Sequence, residues 1–113
     1  MHEMSLMESA LQVVEKAARV QGMSRVTGIW LEIGQLAAVD VEALKFCYTA
    51  IADGTLAQDA ALEIVITPGI GWCPDCALEA PMPEMLSPCP QCGAYRRQVR
   101  RGAEMRVESI AGY

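Results

Sequence analysis

Cys73-Pro74-Asp75-Cys76 and Cys89-Pro90-Gln91-Cys92 stand twelve residues apart in a chain of 113. In each pair a two-residue gap lets both sulfurs of one turn face a single ion about 2.3 Å away, and two such turns complete a tetrahedral shell. The proline after each leading cysteine fixes the turn. Gly93, after the second pair, is free to take positive φ and so aim backbone amides at sulfur. Met1-His2-Glu3 lacks the basic region of an export signal, and in a reducing compartment thiols at this spacing read as metal ligands and not as disulfides. Cys73, Cys76, Cys89 and Cys92 are therefore expected to hold Zn2+. A closed four-thiolate shell has no open position for substrate or water, so this zinc is structural and any catalysis must be sought elsewhere. Iron in similar knuckles would make an electron carrier, which leaves the rest of the chain without a role.

Working outward, the stretch before the first pair alternates helix and strand. Ser5-Leu6-Met7-Glu8 fits a capping box, so a helix is expected from Ser5, with Met7, Ala10, Leu11, Val14, Ala17 and Ala18 on one face and Gly22 as its stop. Ile29, Leu31 and Ile33 alternate with Trp30 and Glu32 up to Gly34, which predicts a strand. Asp40 is placed to cap a second helix whose Val41, Leu44, Cys47, Tyr48 and Ile51 share a face, and Asp53-Gly54 ends it. Cys47 on that stripe is read as a small core residue. Leu62, Ile64 and Ile66 predict a second strand stopped by Pro68-Gly69. Beyond the cysteines, residues 103–111 predict a third strand of the same sheet. The fold class is α+β: a small sheet of about three strands with two helices, and a four-cysteine zinc ribbon inserted between two strands. Residues 1–68, completed by strand 103–111, form one domain, and 69–102 form the ribbon.

No apolar run approaches the ~18 residues of a membrane span, so no membrane association is expected and the chain reads as cytoplasmic. The net charge of -5 is uneven: the excess of Asp and Glu lies before residue 69, while the rest is balanced, and neither part is a basic nucleic-acid domain. The run Arg96-Arg97-Gln98-Val99-Arg100-Arg101 is the exception. It reads either as a nucleic-acid contact on a zinc ribbon or as a solvated edge strand whose charges discourage edge pairing. With so acidic a chain the second reading is preferred; the alternative function is a nucleic-acid-binding accessory protein.

His2 is the only histidine. The Met1 amine, the His2 backbone nitrogen and the His2 imidazole Nδ1 close five- and six-membered chelate rings around one ion, with the Glu3 amide or a carboxylate as a fourth donor. Nitrogen donors in a plane suit Ni(II) or Cu(II) and not tetrahedral zinc. The site is exposed, which suits an ion that is taken up and passed on. The other reading of residues 1–4 is a frayed tail whose methionines cover the core.

Taken together, Met1-His2-Glu3-Met4-Ser5-Leu6, Leu31-Glu32-Ile33-Gly34, Glu42-Ala43-Leu44-Lys45-Phe46, Gly54-Thr55, Ala61-Leu62-Glu63-Ile64 and the two cysteine pairs closely resemble the HypA/HybF family of hydrogenase nickel-incorporation proteins. The resemblance spans essentially the whole chain. It implies that the zinc ligands are Cys73, Cys76, Cys89 and Cys92, and that the nickel-binding residues are Met1, His2 and Glu3, so that Ni2+ is a transferred cargo. It further implies a metallochaperone that works with a nickel-handling GTPase to load the large subunit of [NiFe]-hydrogenase, some members also serving urease. No nucleic-acid partner is expected, and the chain is expected to be a monomer or weak homodimer.

Overall fold

The computed structural model describes residues 2–113. Its elements are α1 (His2–Val20), β1 (Val26–Gly34), α2 (Val41–Ala52), β2 (Ala61–Thr67), β3 (Ile70–Cys73), β4 (Leu78–Pro81), β5 (Gln98–Arg101) and β6 (Met105–Gly112). They form two three-stranded sheets, ordered β2-β1-β6 and β4-β3-β5. The α+β class, the two helices and the strand after the cysteines are as expected; the ribbon has its own sheet. The chain divides into two compact units. One contains the segment through Leu31, Val39–Val65 and Arg106–Tyr113; the other contains Glu32–Ala38 and Ile66–Met105.

In the first unit α1 packs against α2. The face of α1 foreseen from spacing is the buried one: Met7, Ala10, Leu11, Val14 and Ala18 are all buried. From α2, Leu44, Cys47 and Tyr48 join them, and β1 supplies Val26, Ile29 and Leu31. Burying each of the larger side chains contributes roughly 1.5–3 kcal/mol. Cys47 is a core residue at 1% exposure, whereas Phe46, off the stripe, is 75% exposed. Tyr48 carries a polar hydroxyl into this core and shares its proton between the carbonyls of Ala57 (2.8 Å) and Ala60 (3.1 Å).

The helix ends show which local signals held. Gly22 has φ +72, its amide donates to the Arg19 carbonyl, and the Met23 amide donates to that of Ala18, the paired bonds of a Schellman stop. Asp40 caps α2: its side chain accepts from the Ala43 amide at 3.1 Å. The capping box at Ser5 does not form. α1 begins at His2, which leaves Ser5 exposed within the helix. Met4, Ser5 and Leu6 extend a helix at little cost, and Glu3 in the first turn favours the positive end of the helix dipole. Its carboxylate also accepts from the backbone amide of Asp40 at 3.3 Å, an anchor thirty-seven residues away. The alternation in β2 also weakens toward its end, where Ile66 is exposed; β2 lies at the edge of its sheet.

In the second unit β3 is central. It pairs antiparallel with β4, matching Gly71 to Ala80 and Cys73 to Leu78. On the other side it pairs antiparallel with β5, with an irregularity between Ile70 and Gly71. The first cysteine turn is thus the hairpin loop joining β3 to β4, and the second lies in the long connection from β4 to β5.

Candidate metal centres

Both cysteine turns have one backbone construction. In the first, the Ala77 amide donates to the Cys73 carbonyl at 2.8 Å; in the second, the Gly93 amide donates to the Cys89 carbonyl at 2.8 Å. The donating residue is left-handed in each, Ala77 at φ +52 and Gly93 at φ +77. Gly93 does what its position suggested. Ala77 adopts the same conformation with a Cβ, at a cost of roughly 1–2 kcal/mol.

The turns converge. All four sulfurs lie within 4.8 Å of one another, with Cys73 Sγ 3.6 Å from Cys92 Sγ and Cys89 Sγ 4.0 Å from Cys76 Sγ. Four sulfurs bound at 2.3 Å around one tetrahedral ion sit about 3.8 Å apart, so the cluster has the size of a zinc–thiolate shell. Cys73 and Cys89, the leading residues, are buried, Cys76 is half-buried and Cys92 is exposed.

Metal-free thiols this close cannot all ionise. Contact with the Cys92 thiol, then burial, pushes Cys76 up to about 12. Cys89 falls to about 6 because the amides of Cys92 and then Gln91 donate to its sulfur. For Cys92 the Ala94 amide and the Cys76 thiol pull downward, but burial and the Cys73 and Cys89 thiols carry the net shift upward. Cys89 is thus the most readily ionised of these thiols, and a cation entering the cluster competes with protons for the sulfurs.

The arginine run is mostly engaged within the ribbon. Arg100 lies over the Trp72 ring, 4.8 Å from its centroid, and Arg101 pairs with Glu79 at 3.1 Å. Arg97 turns inward: its Nη1 donates to the carbonyls of Ser87 (3.1 Å) and Pro88 (3.3 Å), and its Nη2 to those of Ala80 (2.9 Å) and Pro81 (3.0 Å). β5 is the edge strand expected of this run, but Arg97, just before it, is a structural group that the sequence reading passed over. Gly71, with no Cβ to collide with the guanidinium, was its available signal.

The amino-terminal candidates belong to the first unit. Met1 lies outside the described residues. His2 and Glu3 occupy the first turn of α1, where backbone amides have no intrahelical partner. The His2 imidazole is exposed, with its Nδ1 3.4 Å from Glu3 Oε2. The same Glu3 carboxylate is held below the usual carboxylate range, first by the Asp40 amide, then by its own amide and by His2. Asp40 therefore brings its amide to the head of α1, a proximity invisible to local patterning.

Residues 1–112 match the family described as hydrogenase/urease nickel incorporation metallochaperones, hypA. Hydrogenase maturation factors HypA from Dechloromonas aromatica (strain RCB) and Albidiferax ferrireducens are 52% and 51% identical to this chain over 110 residues, covering 97% of it and 97% of each relative. The solution structure of the Ni metallochaperone HypA from Helicobacter pylori shares the fold, with a TM-score of 0.73 at 22% identity over 97% of this chain and 96% of that one. A second solution structure of a HypA protein gives 0.71 at 24% identity, over 100% and 97%. With a family match of this length and relatives at half identity throughout, the chain belongs to the HypA family of nickel-incorporation metallochaperones.

Proposed function

We propose that this chain takes up Ni(II) at Met1, His2 and Glu3 and, with a nickel-handling GTPase, delivers it to the large subunit of [NiFe]-hydrogenase, while Cys73, Cys76, Cys89 and Cys92 hold a structural zinc. The observation that carries the reading is the presence of two chemically opposite donor sets in one family member. One is an exposed imidazole at the head of a helix; the other is a cluster of four thiols with its leading cysteines buried. Nitrogen donors in a plane favour Ni(II), and four thiolates favour tetrahedral zinc. The His2 and Glu3 amides have no helical bonds to give up. His2 Nδ1, which faces Glu3, exchanges that contact for the ion. The partner assignments rest on family membership, and nothing in the site calls for a catalytic step: the protein binds cargo and yields it to stronger or better-placed ligands.

Nickel titration of the untagged chain, followed by spectroscopy and calorimetry, tests this. His2→Ala is expected to abolish specific nickel binding and leave zinc content unchanged. Wild-type affinity is expected to fall on acidification, because protons compete with the ion for the same nitrogen lone pairs. Undiminished nickel affinity in His2→Ala would overturn the amino-terminal site.

A further inference from the structure

The Arg97 guanidinium makes no contact that its charge requires. It bridges four backbone carbonyls, two at the end of β4 and two immediately before Cys89. These places matter to the thiol cluster. Ser87 and Pro88 lead directly into the second turn, and β4 begins at Leu78, the register partner of Cys73. A closed path therefore runs from Cys73 across the hairpin to Ala80 and Pro81, through the guanidinium, to Pro88 and Cys89. It joins the two leading, buried cysteines without passing through sulfur. The turn before Cys89 is itself stiff: the Ser87 amide donates to the Glu84 carbonyl, and Ser87 Oγ accepts from the Glu84 amide, both at 3.0 Å.

The cradle is shaped for this one group. A Cβ on Gly71 would lie 2.5 Å from Met82 Sδ and 3.2 Å from Arg97 Cζ and Nε, so a side chain there would displace Met82 and press on the guanidinium. Among the described residues, Arg97 Nε is the one buried side-chain nitrogen or oxygen without a hydrogen-bond partner; the planar head is set by its two outer nitrogens. Lysine has one nitrogen with three donors and cannot reproduce a fork that spans four carbonyls.

We propose that Arg97 is a positioning residue for the four-thiol site: it fixes the second cysteine turn against the first before an ion is bound, so that the donors are held in place and not assembled by the metal alone. The proposal rests on reading the four thiols as a zinc site. Groups just outside a metal's own ligands that orient them commonly change affinity by 10–100-fold, and the same size of effect is expected here.

The test uses the full chain, stripped of metal and reloaded. Zinc affinity and release are measured by competition with a chromophoric chelator, and ligand geometry by the visible spectrum of the cobalt-loaded protein. Arg97→Lys and Arg97→Met are expected to take up one zinc with on the order of 10–100-fold weaker affinity and faster release, and to show an altered cobalt spectrum. The unfolding of the helical unit stays as in wild type. Gly71→Ala, which keeps the guanidinium but crowds it, is expected to shift affinity in the same direction, and carries the test should an Arg97 variant not fold. Full rescue by Arg97→Lys would reduce Arg97 to a charge and overturn the proposal, as would wild-type affinity and spectrum in every variant. A wild-type chain that binds no zinc would bring down the zinc reading itself, and the positioning role with it.

Discussion

The helical unit and the ribbon are closed by different chemistry. In the first, Met7, Val14, Val26, Leu31 and Leu44 are fully buried, and hydrocarbon removed from water holds α1 and α2 together. In the second unit the buried apolar side chains are Ile33, Leu36, Cys73, Met82 and Cys89. So few buried side chains remove little apolar surface from water compared with the helical unit. Sulfur converging on one point, and carbonyls converging on Arg97, do the work that leucine and valine do elsewhere. The two regions should therefore fail separately, under different insults.

The largest effect is expected from removing a sulfur. Cys73→Ser opens the shell; in small zinc modules metal binding contributes on the order of 10–16 kcal/mol of folding free energy. Loss of zinc and of native NMR signals around both cysteine turns should follow, with the helical unit's signals retained. Native turn signals in Cys73→Ser would show that the ribbon does not depend on its thiols. The converse is Leu44→Ala, which leaves a cavity where Leu44 is 0% exposed. It should cost about 2–5 kcal/mol in urea unfolding of the helical unit while zinc content stays at wild-type level. A simultaneous loss of zinc would break the separation.

Tyr48 sharpens the contrast by pH. Burial, then the charge of Asp59, raises its pKa above the ordinary tyrosine value. The folded chain thus holds that proton more tightly than the unfolded chain does. The stabilisation is complete below the unfolded value, about 10, and is lost as pH rises through the folded one. Tyr48→Phe should cost about 1 kcal/mol near neutral pH and should abolish the extra fall in Tm above pH 10. An identical alkaline profile in the variant would remove Tyr48 as its source. The smallest expected effect compares the two cysteine turns. Ala77→Gly relieves a left-handed Cβ at the cost of a freer unfolded chain, a net gain of at most about 1 kcal/mol. Gly93→Ala should move ribbon stability the opposite way, as read by thermal unfolding of the zinc-loaded chain.

Much of this architecture is legible along the chain because its causes are local. Periodicity marks the buried face of α1, since side chains three and four apart share a face wherever the helix lies. Gly22 and Asp40 act through bonds to residues within five positions. The cysteine pairs declare themselves because two sulfurs of one turn need only a short spacing, and a resemblance covering the whole chain added the metal and partner expectations. The failures are long-range. Ser5 has the sequence of a cap, but α1 starts at His2, where Glu3 meets the amide of Asp40. Arg97 sits in a run that reads as solvated charge, yet its four acceptors come from residues nine to seventeen positions earlier in the chain.

What the sequence determined by itself is the inventory: which segments bury a face, where they stop, and which side chains carry metal-binding atoms. Tertiary structure alone decided the long-range contacts that no spacing foretold, Glu3 with Asp40 and Arg97 with its four carbonyls. Four sulfurs become one site only because β3 and β4 hold one turn while the connection to β5 returns the other. Arg97 reaches four carbonyls only because the end of β4 and the segment before Cys89 are brought to it together. Spacing constrains a residue's near neighbours through the fixed geometry of the backbone; contacts between distant segments depend on how the whole chain closes, and no local pattern encodes them.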